Sequence, residues 1–212
     1  MARLKVMIVP VTPFEQNCSI VWDTDTMKGA VVDPGGDLPR IQGALAELKV
    51  VPEKILITHG HIDHAGGATD LAAALGVPIE GPHEADAPLL ANLPGQAARF
   101  GLASVKAVTP DRWLSEGDTV TVGGLTFDVR HVPGHAPGHV IFIHHPSAFA
   151  VVGDTIFQGS VGRTDLPGGD HDLLIRGIKE KILPLGDDFT VLPGHGPATT
   201  LERERLSNPF LR

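Results

Sequence analysis

Thr58-His59-Gly60-His61-Ile62-Asp63-His64-Ala65-Gly66-Gly67 places three imidazoles and one carboxylate within six consecutive positions. It follows Ile55-Leu56-Ile57, an apolar, β-branched run of the kind that forms a buried strand, so the four groups sit where a strand ends. Residues two apart in extended backbone point the same way. His59 and His61 can therefore grip one ion, while Asp63 and His64, past a bend, face another. Burying several titratable groups beside an apolar strand is costly unless something compensates them, and a divalent cation does so most directly. Four ligands do not complete two metal sites, so this reading requires further His, Asp or Glu residues in comparable positions.

The rest of the chain supplies them. Val6 to Val11, Ser19 to Trp22 and Ala30 to Val32 read as short strands, the last ending at Asp33-Pro34-Gly35-Gly36, a turn by composition. Asp33 has two readings of equal weight: an acceptor that fixes the metal loop, or an ordinary Asx-turn. Asp37 reads as the N-cap of a helix carrying Leu38, Ile41, Leu45 and Leu48. Ala68 to Leu75 reads as a helix closed by Gly76. Prolines 78, 82, 88 and 94 break residues 77–106 into short helices and loops, of the sort that cover a site.

Thr119 to Val122 and Leu125 to Val129 flank Gly123-Gly124 as a hairpin, and the second strand runs on into Pro133-Gly134-His135. Val140 to Ile143 and Phe149 to Val152 are two further strands, the latter ending at Gly153-Asp154. A helix is expected over Leu173 to Ile182. Phe189 to Leu192 is a strand leading into Pro193-Gly194-His195. His135, Asp154 and His195 thus each follow an apolar β-run in a Gly-bearing turn, and loops leaving one end of a sheet structure converge. His139, four residues beyond His135, reads as structural or as a support behind the ligands, not as a ligand itself. His131 reads as a neighbour of the site, and His83, His144, His145 and His171 as surface residues.

The chain has 212 residues, a formal net charge of −8 and no run of Lys or Arg. One α/β domain spanning 1–212 is expected. Nucleic acid or an anionic membrane is excluded as main partner, since both demand clustered cations. Cys18 is the single cysteine, a small core residue in a strand, which fits a reducing cytoplasm. No apolar stretch is long enough to span a bilayer. Oligomeric state is not encoded in any pattern here.

His59-x-His61-x-Asp63-His64, with His135, Asp154, His195 and the early Asp33, resembles the metallo-β-lactamase superfamily. Gln16-Asn17-Cys18, Val32 to Asp37, Gly162-Arg163-Thr164-Asp165 and Asn208-Pro209-Phe210-Leu211 are similar to the short, single-domain glyoxalase II-like hydrolases. The resemblance implies a four-layer αβ/βα sandwich of two mixed sheets flanked by helices. It implies two divalent ions, Zn, Fe or Mn: one on His59, His61 and His135, one on Asp63, His64 and His195, with Asp154 bridging. It further implies hydrolysis of a small-molecule glutathione thioester, such as S-lactoylglutathione, by a metal-held hydroxide, with no catalytic side chain beyond the ligands.

Long glyoxalases add a C-terminal helical domain that contributes to the glutathione site. Here only 17 residues follow His195, and the chain has no Tyr with which to reproduce their tyrosine contacts. Arg163 is the one candidate for a substrate carboxylate, with a simple pair to Asp165 as the competing role. A related alternative is a persulfide dioxygenase holding one iron through His59, His135 and Asp154. Further alternatives are another metallo-hydrolase and a non-enzymatic metal-binding protein.

Overall fold

A computed structural model describes residues 3–212. Strands β1 (Leu4–Val11), β2 (Gln16–Asp23), β3 (Lys28–Val32), β4 (Val51–Leu56) and β5 (Ile79–Glu80) form one sheet in that order. The first three are antiparallel and the last three parallel. Strands β6 (Thr119–Val122), β7 (Leu125–His131), β8 (Val140–His144) and β9 (Phe149–Gly153) begin the second half, followed by a small ribbon of β10 (Ile156–Phe157) and β11 (Ser160–Val161). With β12 (Thr190–Pro193) and β13 (Thr199–Thr200), they complete a second sheet ordered β13-β12-β9-β8-β7-β6, in which only β9 and β12 run parallel.

The two-residue period of a strand builds the layers. In β3, Ala30 and Val32 face the opposite sheet while Val31 faces helices; in β8, Val140 and Phe142 face inward while Ile141 and Ile143 face out. The inward set meets Phe127, Val129 and Val151 in a core between the sheets. On the outer face of the first sheet lie α1 (Leu38–Leu48), α2 (Ile62–Ala65), α3 (Ala68–Leu75), α4 (Ala87–Ala91) and α5 (Leu93–Arg99), through residues such as Ile41, Leu71 and Leu93. The outer face of the second carries α6 (His171–Gly177) and α7 (Leu201–Ser207), through Leu174 and Leu201. This is the expected αβ/βα sandwich of two mixed sheets.

Three local expectations need correction. Asp37 stands at the start of α1, but its left-handed backbone (φ 50°) turns the carboxylate away from the helix, and it accepts instead from the Thr12 N–H at 2.7 Å. The helix expected over 173–182 begins at His171, where Asp170 caps the Leu173 N–H, and widens into a π-turn over Ile178–Ile182. His144 is buried rather than exposed, because the alternation of β8 puts it on the same side as Phe142, against the Phe127 ring at 5.3 Å.

Parallel pairing places the site. β3 and β4 end side by side, and so do β9 and β12. The loops that follow these ends carry Asp33, His59, Asp154 and His195 toward one edge of the sandwich. Phe127→Ala in the central core should lower unfolding free energy by about 3–5 kcal/mol, whereas Phe14→Ala at the exposed rim should change it by under about 0.5 kcal/mol. Urea denaturation of the two variants checks the contrast.

Candidate metal centre

His59 follows β4 directly, and His61 stands at the start of α2 in extended backbone (φ −79°, ψ 151°). His61 Nδ1 lies 3.0 Å from His135 Nε2, which lies 3.3 Å from His59 Nε2. His64 Nε2 is 3.4 Å from Asp154 Oδ1 and 3.8 Å from Asp63 Oδ2. His195 Nε2 is 3.1 Å from Asp63 Oδ2 and 3.6 Å from Asp154 Oδ2, and the latter oxygen is 3.5 Å from His135 Nε2. Asp154 therefore stands between two groups, His59–His61–His135 and Asp63–His64–His195, each with geometry capable of holding a metal ion. All seven residues singled out from the sequence come together.

Hydrogen bonds decide where the ring protons are. His135 Nδ1 meets the Arg163 carbonyl at 2.8 Å and His195 Nδ1 the Phe14 carbonyl at 3.2 Å. A carbonyl only accepts, so both protons sit on Nδ1 and each Nε2 faces the centre. His64 Nδ1 likewise donates to Asp33 Oδ2 at 2.9 Å. The Thr58 hydroxyl donates to Asp33 at 2.6 Å, leaving its oxygen to accept from His59 Nδ1 at 3.0 Å. Nε2 lone pairs of His59 and His135 consequently face each other. Nitrogens on a tetrahedral ion with bonds of about 2.0–2.1 Å stand about 3.3–3.4 Å apart, close to this spacing. His64 Nε2 and Asp154 Oδ1 are buried with no hydrogen-bond partner among the described residues, as groups awaiting a cation would be.

The electrostatics agree. Burial holds His59 well below its ordinary pKa, and burial with the His135 charge takes His61 down to about 4, so both rings are neutral near pH 7. Burial also opposes ionisation of Asp154, but His64, His135 and His195 outweigh it and keep the carboxylate charged. Burial opposes charge on His64 too, yet Asp154, Asp63 and Asp33 together raise its pKa well above the usual value. His59 and His61 are thus already in the neutral form that binds a divalent ion, beside an ionised Asp154, whereas His64 has to release its proton when a cation binds.

The family model described as the metallo-beta-lactamase superfamily matches residues 11–195. The chain belongs to that superfamily. A hydroxyacylglutathione hydrolase GloC of Haemophilus influenzae is 46% identical to it over 98% of both chains. Among solved structures, a protein captured in a di-iron-bound form (TTHA1623) superposes with a TM-score of 0.88 at 38% identity, covering 97% of this chain and 100% of its own. A B3 metallo-beta-lactamase, BLEG-1, superposes with a TM-score of 0.91 at 36% identity, covering 98% of this chain and 99% of its own.

In this member of the superfamily the cluster is held by further residues, of which Asp86 and Gln96 have no obvious mark in the sequence. Asp86, buried between two loops, accepts from the Gly60 N–H at 2.8 Å and from the Gly138 N–H, which ties the His59 loop to the His135 loop. Burial raises its pKa to about 6 against the pull of those two donors. Gln96 accepts from the Ile62 N–H at 3.0 Å and donates to the Gly60 carbonyl at 3.1 Å. Asn17 donates to the Pro193 and Gly196 carbonyls at 3.0 and 2.8 Å, strapping the His195 turn. His139, read as structural, accepts the Asp154 N–H on Nε2 at 3.0 Å. Gly194 must lack a side chain, since a Cβ there would overlap Asp154 Oδ1 and the His64 ring.

Asp33 acts as an acceptor that fixes the loop, with its left-handed backbone (φ 53°) aiming the carboxylate at the Thr58 N–H, the Thr58 hydroxyl and His64. Arg163 forks onto Asp165 with two bonds of 2.7 Å, the simpler of its two expected roles. The cluster opens into a cavity of about 810 Å³, walled by Phe14, Leu89, Phe100, Phe157 and Leu166. Asp86→Ala would leave two backbone donors without their acceptor and should cost about 1–3 kcal/mol for each buried N–H. Its metal affinity should fall about 10- to 100-fold, measured by competition with a chromogenic chelator.

Proposed function

We propose that the chain is a binuclear, glyoxalase II-like thioester hydrolase that cleaves S-2-hydroxyacylglutathiones, such as S-lactoylglutathione, to glutathione and a 2-hydroxy acid. The observation that carries the reading is the pair of Nε2 lone pairs on His59 and His135, turned toward each other at 3.3 Å beside buried His64 Nε2 and Asp154 Oδ1, which face each other at 3.4 Å without a hydrogen bond. In this assignment His59, His61 and His135 would hold one cation and Asp63, His64 and His195 the other, with the Asp154 carboxylate available to both. When bound, divalent cations polarise a carbonyl and lower the pKa of a water toward 7.

The protein's own residues do the rest. Asp33 and Thr58 fix the His59 and His64 rings, the Arg163 carbonyl fixes His135, and the Phe14 carbonyl fixes His195. Such orientation keeps the donor atoms aimed without reorganisation during reaction. Phe14, Phe100 and Phe157 give the cavity an apolar side against which an acyl group would pack. A thiol of pKa about 8.5 leaves as thiolate, which suits a centre whose ionisable groups are committed to one another. An amide nitrogen would need a proton delivered to it, so thioesters are favoured over β-lactams. The name of the 46% identical relative supports the glutathione thioester as substrate. Glutathione is kept in the reducing cytoplasm, where a chain with one buried cysteine is at home.

Protein loaded with Zn, Fe or Mn should hold two ions per chain by elemental analysis and release thiol from S-lactoylglutathione. It should do so far faster than it opens a chromogenic cephalosporin. His135→Ala should lower kcat/KM at least about 100-fold, the scale of losing one preorganised electrostatic contributor. One iron per chain, with oxygen uptake on glutathione persulfide and no thioester cleavage, would replace this reading with the dioxygenase.

A further inference from the structure

The cavity over the cluster has two guanidinium groups in its wall, Arg99 and Arg163. Arg163 is consumed by its fork onto Asp165. Arg99 forms no ion pair or side-chain hydrogen bond among the described residues, and no other Lys or Arg lines the cavity. An exposed arginine alone would be unremarkable. This one is held in place by the element that carries it.

Asn92, Gln96 and Arg99 fall four and three residues apart, on one face of α5 and its N-terminal flank. The opposite face is anchored by Leu93 and Ala97, both buried in the outer core. Gln96 is hydrogen-bonded to Gly60 and Ile62, the residues on either side of His61. Arg99 lies one turn beyond, about 4.5 Å along the helix axis at 1.5 Å per residue. Its reach from the cluster is therefore set by a rigid strap, not by a mobile loop. Beside it, Phe100 meets Phe14 edge to face at 5.5 Å. The wall thus combines an apolar aromatic rim with a single uncommitted cation.

We infer that Arg99 is a specificity-determining residue that takes a free carboxylate of the peptidic thiol half of the substrate in a forked hydrogen bond, with the Asn92 amide on the same face. The inference rests on the thioesterase reading and deepens it. Arg99 gives this chain a cationic anchor on the helix that straps the metal loop, while Arg163, the candidate the sequence offered, is taken by Asp165. A guanidinium matches a carboxylate in two parallel bonds, so its selectivity is for the charged thiol and not for the acyl group.

The test compares S-lactoylglutathione with S-lactoyl-N-acetylcysteamine, which carries the same acyl group on a thiol without a carboxylate. It uses metal-loaded wild type, Arg99→Ala and Arg99→Lys. Arg99→Ala should lower the ratio of kcat/KM for charged over neutral thioester about tenfold, equivalent to about 1.4 kcal/mol. Arg99→Lys should restore part of that ratio, since it keeps the charge and loses the fork. Calorimetry with S-methylglutathione, a thioether that cannot be hydrolysed, should show the dissociation constant of Arg99→Ala raised about tenfold.

An unchanged ratio together with unchanged thioether affinity would overturn the role of Arg99 while leaving the thioesterase reading standing. Equal losses on both thioesters, with thioether affinity unchanged, would equally overturn it, as the signature of a structural effect. Were wild type inactive on every thioester yet bound to S-methylglutathione through Arg99, the hydrolase reading would fall and the carboxylate anchor would hold. Wild type that neither cleaves thioesters nor binds the thioether would overturn both.

Discussion

Two imidazole nitrogens, on His59 and His135, face each other at 3.3 Å with their ring protons engaged elsewhere. Lone pairs so placed repel unless a positive charge comes between them, and the structure is arranged to keep them there. Asp33 holds the His59 loop through Thr58, and the Arg163 carbonyl holds His135. Asp86 then clamps the two loops to each other. The arrangement is one the apolar layers alone would not favour, since it buries imidazole and carboxylate groups at the edge of a Val/Ile/Leu core. A bound cation would turn that cost into a reason for the loops to stay in register.

Much of this was legible in the sequence because strand ends leave a signature. An apolar β-run leads into a Gly-bearing turn at each of His59, His135, Asp154 and His195, and parallel pairing of β9 with β12 brings the last two of those ends side by side, as that of β3 with β4 does for Asp33 and His59. The individual strands were legible from their apolar runs, while the four-layer sandwich was implied by the family resemblance; the alternation of β8 also contained the information that His144 is buried, one position beyond Ile143 on the side of Phe142.

Most of the holding residues were not legible. Asn17 is marked only as part of Gln16-Asn17-Cys18, without its role, and Asp86 and Gln96 not at all; all three act on backbone N–H and carbonyl groups. Backbone acceptors and donors are the same at every position, so nothing in their partners' identities points back to them. The Pro-broken segment 77–106 looked like covering loops. In space it is both strap and wall, since Asp86 and Gln96 grip the metal loop while Arg99 and Phe100 face the cavity. Asp37 failed as a helix cap for a related reason: its backbone turned left-handed and gave its carboxylate to Thr12, a contact 25 residues away.

The strap from Asn17 to Pro193 and Gly196 joins positions 176 and 179 residues apart. On a ribosome, β2 is made early and waits while nearly the whole chain is synthesised before its amide finds the last turn of the centre. The His59 loop is held by Asp33 and Asp86, 25 and 26 residues away, but the His195 turn is held by a residue nearly a whole chain length distant. A product that stops short of His195 would keep the other six residues of the cluster and lose both that imidazole and the turn that Asn17 straps.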